Sequence, residues 1–336
     1  MILIVGGAGY IGSHTNKLLS KQGHETVVFD NLVHGHREFV KWGSFFHGDL
    51  SNKEQIMQCF LKYPIHAVMH FSAFAYIGES VCEPGKYYKN NVSNTVNLLE
   101  IMRKFAVNKI VFSSSCSIYG EPEEIPITET HPKYPTNPYG KSKLMVEEIL
   151  KDYDYAHGIK HISLRYFNAA GADPELEIGE KHNPETHLIP LIMQVASGLY
   201  PHITIYGDAY PTPDGTCIRD YIHVNDIAKA HILALQALES GMNSTAMNLG
   251  NGNAYSVKEI ITLSEQVTGG TIKRKMGPKR IGDPAQLISD SRKAKQELGW
   301  EPGYADIKII VEHAWNWHLK MLSGFRSPYF NTQIQR

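Results

Sequence analysis

Ile2-Leu3-Ile4-Val5-Gly6-Gly7-Ala8-Gly9-Tyr10-Ile11-Gly12 is the stretch that decides the fold. Four consecutive apolar residues read as a short strand buried on both faces, and Tyr10 to Gln22 reads as the helix that it feeds. Glycines at 6, 9 and 12 let the backbone turn tightly, approach a pyrophosphate and pack the helix on the sheet. The helix N-terminus presents free N–H groups and a partial positive charge to the anion. About twenty residues on, Asp30 closes a second strand, Glu25 to Phe29. A carboxylate there takes the adenosine ribose hydroxyls and repels a 2′-phosphate, which favours NAD over NADP.

Outward from this turn, apolar runs at Ser44 to His47, His66 to Phe71, Lys109 to Phe112 and His161 to Leu164 read as further strands. Each is followed by a helical pattern, so a parallel, doubly wound α/β sheet is expected. Helices are expected at Lys53 to Phe60, Pro84 to Phe105 and Pro138 to Tyr155, the second with Val92, Val96, Leu99 and Met102 at helical spacing. Residues 171–185 are rich in Gly, Pro and acidic residues without periodicity and read as a loop into a smaller unit. The reading is a dinucleotide domain over 1–170 and mainly a substrate domain over 171–336, with some later segments returning to the first sheet. Phe325 to Arg336 reads as a mobile tail.

The 336 residues carry a net charge of −1 with no block of like charge, which excludes the basic stripe a nucleic-acid partner requires. Cys59, Cys82, Cys116 and Cys217 form no Cys-x-x-Cys pair and suit reduced thiols in the cytoplasm. No apolar stretch is long enough for a membrane span, and the first strand leaves no room for a signal peptide. His34 and His36 flank Gly35 in a polar loop and read as solvated rather than metal-ligating, so no metal is expected.

Tyr139 and Lys143 lie four apart just inside a helix that Asn137 caps and Pro138 opens, on one face about one turn apart. A phenol of ordinary pKa about 10 is a poor base at neutral pH. An ammonium a few ångströms away, with a positive nicotinamide ring, favours the phenolate, so Tyr139 can take a hydroxyl proton. Ser113-Ser114-Ser115 ends the fifth strand at the carboxyl edge where such sheets bind ligands, placing a hydroxyl for the reacting oxygen.

With these motifs the chain resembles the extended short-chain dehydrogenase/reductase family, in its UDP-hexose 4-epimerase branch. The matching segments run almost end to end: GGAGYIGSHT at 6–15, FDNL at 29–32, GDL at 48–50, HFSAFAYIGES at 70–80, YYKNNV at 87–92, DGTCIRDYIHV at 214–224, NLGNGN at 248–253 and RIGDP at 280–284. The resemblance implies a Rossmann-type sheet, tightly bound NAD, interconversion of UDP-galactose and UDP-glucose at C4, and a homodimer built on a four-helix bundle. It assigns catalysis to Ser115, Tyr139 and Lys143. It assigns NAD contacts to Gly6, Gly9, Tyr10, Ile11, Gly12, Asp30, Asn31, Asp49, Leu50, Phe71, Asn91 and Tyr166, besides Tyr139 and Lys143. Asn168, Leu188, Tyr206, Arg219, Arg280, Asp283 and Leu287 fall at its UDP-sugar positions. The chain departs from the branch at Val5, where a threonine is usual, and at Ala75, where some members carry a lysine near the cofactor phosphates. Leu287 stands where a bulky tyrosine marks strict glucose/galactose enzymes, which implies room for N-acetylated sugars. A 4,6-dehydratase would carry an acidic pair after the catalytic serine, where this chain has Cys116 and Ser117; a non-enzymatic NAD sensor on the same fold is the other alternative.

Overall fold

A computed structural model describes residues 1–280 and 283–325. The tail beyond Phe325 and part of the RIGDP segment therefore lie outside the described residues. Among the described residues, thirteen strands and eleven α-helices follow in chain order. In the first half these are β1 (Ile2–Val5), α1 (Tyr10–Lys21), β2 (Thr26–Asp30), β3 (Ser44–His47), α2 (Lys53–Lys62), β4 (Ala67–His70), α3 (Ile77–Cys82), α4 (Pro84–Tyr87), α5 (Asn94–Lys104), β5 (Lys109–Ser115), α6 (Pro138–His157) and β6 (Lys160–Tyr166). The rest are β7 (Asn168–Ala170), α7 (Leu188–Ala196), β8 (Ile203–Tyr206), β9 (Ile218–His223), α8 (Val224–Glu239), β10 (Thr245–Leu249), β11 (Ala254–Ser256), α9 (Val257–Thr268), β12 (Arg274–Gly277), β13 (Gln286–Leu287), α10 (Arg292–Leu298) and α11 (Ile307–Phe325).

The main sheet has seven strands in the order β3-β2-β1-β4-β5-β6-β10. Every pairing in it is parallel. Its central strands β1, β2 and β4 are mainly apolar because both faces are covered. Ile2 and Ile4 point into one core with α8 residues Ile227 and Leu235, while Leu3 and Val5 point into the other with Leu98, Met102, Val146 and Leu150. The edge strand β10 comes from the second half of the chain, aligned from Thr245 opposite Ile162 to Leu249 opposite Tyr166. A smaller unit holds β7, β9, β11 and β13 around β9, the β8–β12 pair, and α7, α9 and α11, with its own core around Ile192, Ile205, Ile260 and Ile310.

Two elements differ from the sequence reading. The helix expected over Pro84 to Phe105 is interrupted by a wide π-type turn at Tyr88–Ser93. Asn91 lies in it, donating to Phe74 O and Ser142 Oγ at 3.0 Å each and accepting the Phe74 N–H at 2.9 Å, and such bulges gather at functional sites. No helix follows β2 before β3; a single 3-10 turn, Arg37–Phe39, takes its place.

Candidate active site

The glycine turn is built to receive an anion. Gly6 adopts φ +76°, and a Cβ on it would lie 2.6 Å from Ser72 N; a Cβ on Gly12 would lie 2.4 Å from Gly6 O. Gly9 caps α1 with no side-chain hydrogen bond, leaving the first-turn N–H groups open. Asp30 is 8% exposed and accepts the Ala8 N–H at 3.0 Å and the Leu32 N–H at 2.8 Å, so its carboxylate faces the turn at a fixed angle. Burial pushes its pKa up, against those backbone donors. Asn31 donates to Asp49 at 2.7 Å. Burial acts to raise the Asp49 pKa, but hydrogen bonds from Ser51 and Asn31 outweigh it and hold the group below its ordinary value. A glycine cradle that side chains would fill, next to a ribose-type carboxylate at the end of β2, fits NAD. Around it, Ile11 and Leu50 pack into the two cores and the Phe71 ring lies 4.6 Å from that of His231. The Tyr10 hydroxyl is committed to Gly171 O at 2.6 Å, tying the turn to the loop after β7.

Ser115, Tyr139 and Lys143 converge at the carboxyl end of β5. Asn137 Oδ1 accepts the Gly140 N–H at 2.9 Å and starts α6 there. A Cβ at Gly140 would stand 2.4 Å from Ser117 O, so only glycine lets this helix end approach the serine turn. Lys143 is 3% exposed, donates to Ser113 O at 2.7 Å, and lies 5.8 Å from the centroid of the Tyr139 ring. The Tyr166 hydroxyl meets Ser113 Oγ in a short hydrogen bond.

The electrostatics differ from the expected depressed phenol. Burial pushes Tyr139 up to about 12 against a hydrogen bond with Ser115, and burial pulls Lys143 down to about 7 against the attraction of Glu147. For both groups desolvation is the largest cause, and it outweighs the Ser115 hydrogen bond at Tyr139 and the Glu147 attraction at Lys143. A unit positive charge about 6 Å away at an effective dielectric near 20 is worth about 2.8 kcal/mol, roughly two pKa units. A positive charge brought beside the phenol therefore acts against the desolvation that holds its pKa up.

Most of the residues expected to hold the UDP-sugar lie on the smaller unit. Arg219 on β9 makes a short ion pair with Asp283, and Leu287 on β13 pairs with Arg219 in register. Leu287 also packs against the small apolar cluster of Cys116, Ile118, Tyr119, Ile127 and Phe167, which follows the Ser115 turn. Arg280 stacks 3.9 Å over the ring of Tyr206, at the end of β8, and its carbonyl receives the Asp283 N–H at 3.4 Å. Asn168 hydrogen-bonds Tyr221, and Leu188 opens α7.

Two clusters escaped sequence reasoning. Glu147, one turn beyond Lys143, is held by Arg165 through two hydrogen bonds of 2.9 and 2.5 Å and also accepts Ser114 Oγ at 2.5 Å. Glu180, His182, Glu185 and His187 bring their donor atoms together in the loop after β7. Their Glu-x-His-x-x-Glu-x-His spacing was the available signal. His34 and His36 are elsewhere engaged, His34 edge-on to Phe74 and His36 with Lys181 O at 2.7 Å.

The model of the NAD dependent epimerase/dehydratase family matches residues 2–250. The UDP-glucose 4-epimerase of Lacticaseibacillus casei is 50% identical over 325 residues, covering 96% of this chain and 98% of that one. The structure of UDP-glucose 4-epimerase from Brucella ovis in complex with NAD superimposes with a TM-score of 0.92 at 47% identity, over 94% of this chain and 97% of that one. The Bifidobacterium longum enzyme in complex with NAD+ and UDP gives 0.91 at 38% identity, over 96% and 99%. With its glycine cradle, its serine–tyrosine–lysine cluster and these relatives, the chain belongs to the NAD-dependent epimerase/dehydratase family.

Proposed function

We propose that this protein is an NAD-dependent UDP-glucose 4-epimerase in which Tyr139 is the acid/base at the sugar 4-hydroxyl. The convergence of Tyr139 and Lys143 on the serine end of β5, beside the glycine cradle, carries the reading. Bound NAD supplies reversible hydride acceptance at C4. Tyr139 takes the 4-OH proton and later returns it, with Ser115 hydrogen-bonded to the phenol and the Lys143 amine 5.8 Å from its ring centroid. Inversion requires the 4-keto sugar to present its other face while the diphosphate stays held, so binding energy belongs at the nucleotide. Arg219 and Arg280 are forked donors for the diphosphate, and Asp283 is a carboxylate for ribose hydroxyls. Incubation with UDP-galactose and coupled detection of UDP-glucose tests the reading; absence of UDP-glucose from NAD-loaded protein overturns it.

The assembly we propose is a homodimer through the side of the sheet that carries the Pro84 to Phe105 segment and α6, with α3 beside them. Ile77 and Val81 on α3 and Met145 on α6 are 49%, 62% and 44% exposed, and two such helical faces from two subunits make a bundle. Four free cysteines, Cys59, Cys116 and Cys217 among them buried, support a cytoplasmic location. No described helix is long and apolar enough to cross a membrane.

A further inference from the structure

Glu180, His182, Glu185 and His187 come from one short segment, and one donor atom of each lies within 4.8 Å of all the others. His182 Nδ1 is 3.1 Å from a Glu180 oxygen and 3.7 Å from a Glu185 oxygen. His187 Nδ1 is 2.7 Å from Glu180 and 3.1 Å from Glu185. Each imidazole nitrogen thus faces two carboxylates and each carboxylate faces two imidazoles. A ring nitrogen carries one proton at most and donates it well in one direction, while Glu185 also accepts the Thr186 and His187 N–H groups at 2.7 and 2.8 Å, so its carboxylate is held facing the two rings. The two carboxylates are 6% and 5% exposed, and buried carboxylates call for compensating charge.

The neighbouring acidic cluster shows how this chain fills such a place with its own cation. There Lys17 reaches Asp173, Glu175 and Glu177 at 2.6, 2.8 and 2.7 Å. In the histidine cluster the intervening Lys181 turns away to Glu38 at 2.8 Å. No lysine or arginine ion pair reaches Glu180 or Glu185 among the described residues.

We propose that Glu180, His182, Glu185 and His187 form a binding site for one divalent transition-metal ion of the zinc class. Zinc binds imidazole nitrogen and carboxylate oxygen at about 2.0–2.2 Å, so neighbouring donors in a tetrahedral set stand roughly 3.3 Å apart. The four cross-separations here lie on both sides of that value. Two imidazole donors disfavour calcium and magnesium, which take oxygen ligands, and two carboxylates with a divalent cation make the buried set neutral. A cavity of about 200 Å³, bordered by Gly171, Glu180, His182, Glu185 and Trp317, gives an ion a way in. The ion staples the segment that precedes Leu188. The His182 ring stands 6.3 Å from those of Tyr10 and Tyr76, so the staple also braces the dinucleotide turn.

The test uses tag-free full-length protein, stripped with a chelator and titrated with Zn²⁺ alone against a chromophoric competitor, with elemental analysis for stoichiometry. One equivalent is expected, with tetrahedral ligand-field absorption when Co²⁺ replaces it. Glu185→Gln and His182→Asn should each weaken binding by about tenfold or more, in line with losses seen when metal-site residues are altered. Glu175→Gln, in the cluster that Lys17 fills, should not. Wild-type protein that takes up no stoichiometric ion overturns the proposal whatever the variants do, and so does equal affinity in Glu185→Gln; the cluster is then a set of imidazolium–carboxylate pairs. Since the readout is metal binding, either result leaves the epimerase reading to its own assay.

Discussion

Two successive turns of α6 handle buried charge in opposite ways. At Lys143 the ammonium has a backbone carbonyl for its partner, Ser113 O, and no carboxylate in contact, and burial draws its pKa down to about 7. At Glu147 the carboxylate is locked by Arg165 in a forked pair, with side chains 2% and 3% exposed, and Arg165 also donates to the Tyr119 hydroxyl at 2.9 Å. A paired buried charge is costly to separate from its partner. An unpaired one answers to whatever enters the site. The helix keeps its rigid charge one turn from its responsive one, and the responsive one lies beside Tyr139.

The largest expected effect breaks the responsive end. Tyr139→Phe keeps the ring that packs there and removes the proton-carrying group, and positioned acid/base groups contribute about 10² to 10⁴ in rate. A fall in kcat of that size, with NAD still bound and the melting temperature unchanged, is the expected outcome. Near-normal turnover would remove Tyr139 from its role.

Breaking the rigid end should cost stability instead. Glu147→Ala leaves Arg165 buried without its carboxylate, and such half-broken pairs lose about 3–5 kcal/mol. Urea unfolding measures this directly. A loss well under 1 kcal/mol would mean that water reaches Arg165 and that the contrast between the two turns is overstated.

How far each end was readable from the chain follows from what each depends on. The glycine turn, Asp30 and the Tyr139–Lys143 pair are local patterns, and each falls at its expected place on β1, β2 and α6. Glu147 and Arg165 are eighteen residues apart, and nothing in either neighbourhood announces a pair formed only when β6 lies against α6. The break in the helix after Pro84 was hidden for a similar reason. The apolar spacing of Val92, Leu99 and Met102 survives the π turn, while the cause of the turn lies in Asn91 reaching Phe74 and Ser142. Glu180 to His187 sits in an aperiodic loop, where hydrophobic spacing carries no signal and only the alternation of donors does.

Lys143→Met sharpens the comparison through pH. The unfolded chain holds a lysine proton up to about 10.4, whereas the folded protein releases it at about 7. Between those values the unfolded state binds more protons, so unfolding free energy from this group rises with pH across the window. The methionine variant should lose that rise in urea titrations of NAD-free protein. Its remaining activity should need higher pH, because the Tyr139 phenol has lost a nearby positive charge. Unchanged profiles in both measurements would make Lys143 a packing residue.

The smallest effect concerns the wall of the sugar pocket. Leu287 packs against the apolar cluster that holds Cys116 and Phe167, and it lacks the bulk and hydroxyl of a tyrosine. If Leu287 borders the C2 side of a bound sugar, an acetyl methyl there is expected to meet an apolar wall. Burial of one methyl is worth about 1 kcal/mol, so attraction alone changes rates only about fivefold, and steric room decides the scope. Wild-type protein is expected to epimerise UDP-N-acetylglucosamine as well as UDP-glucose. Leu287→Tyr should abolish the first and spare the second, since the added ring fills the acetyl space without touching Ser115, Tyr139 or Lys143. Strong activity on UDP-glucose with no turnover of the N-acetyl sugar by wild type would show that neighbouring backbone closes that space and that leucine is already large enough to exclude the substituent.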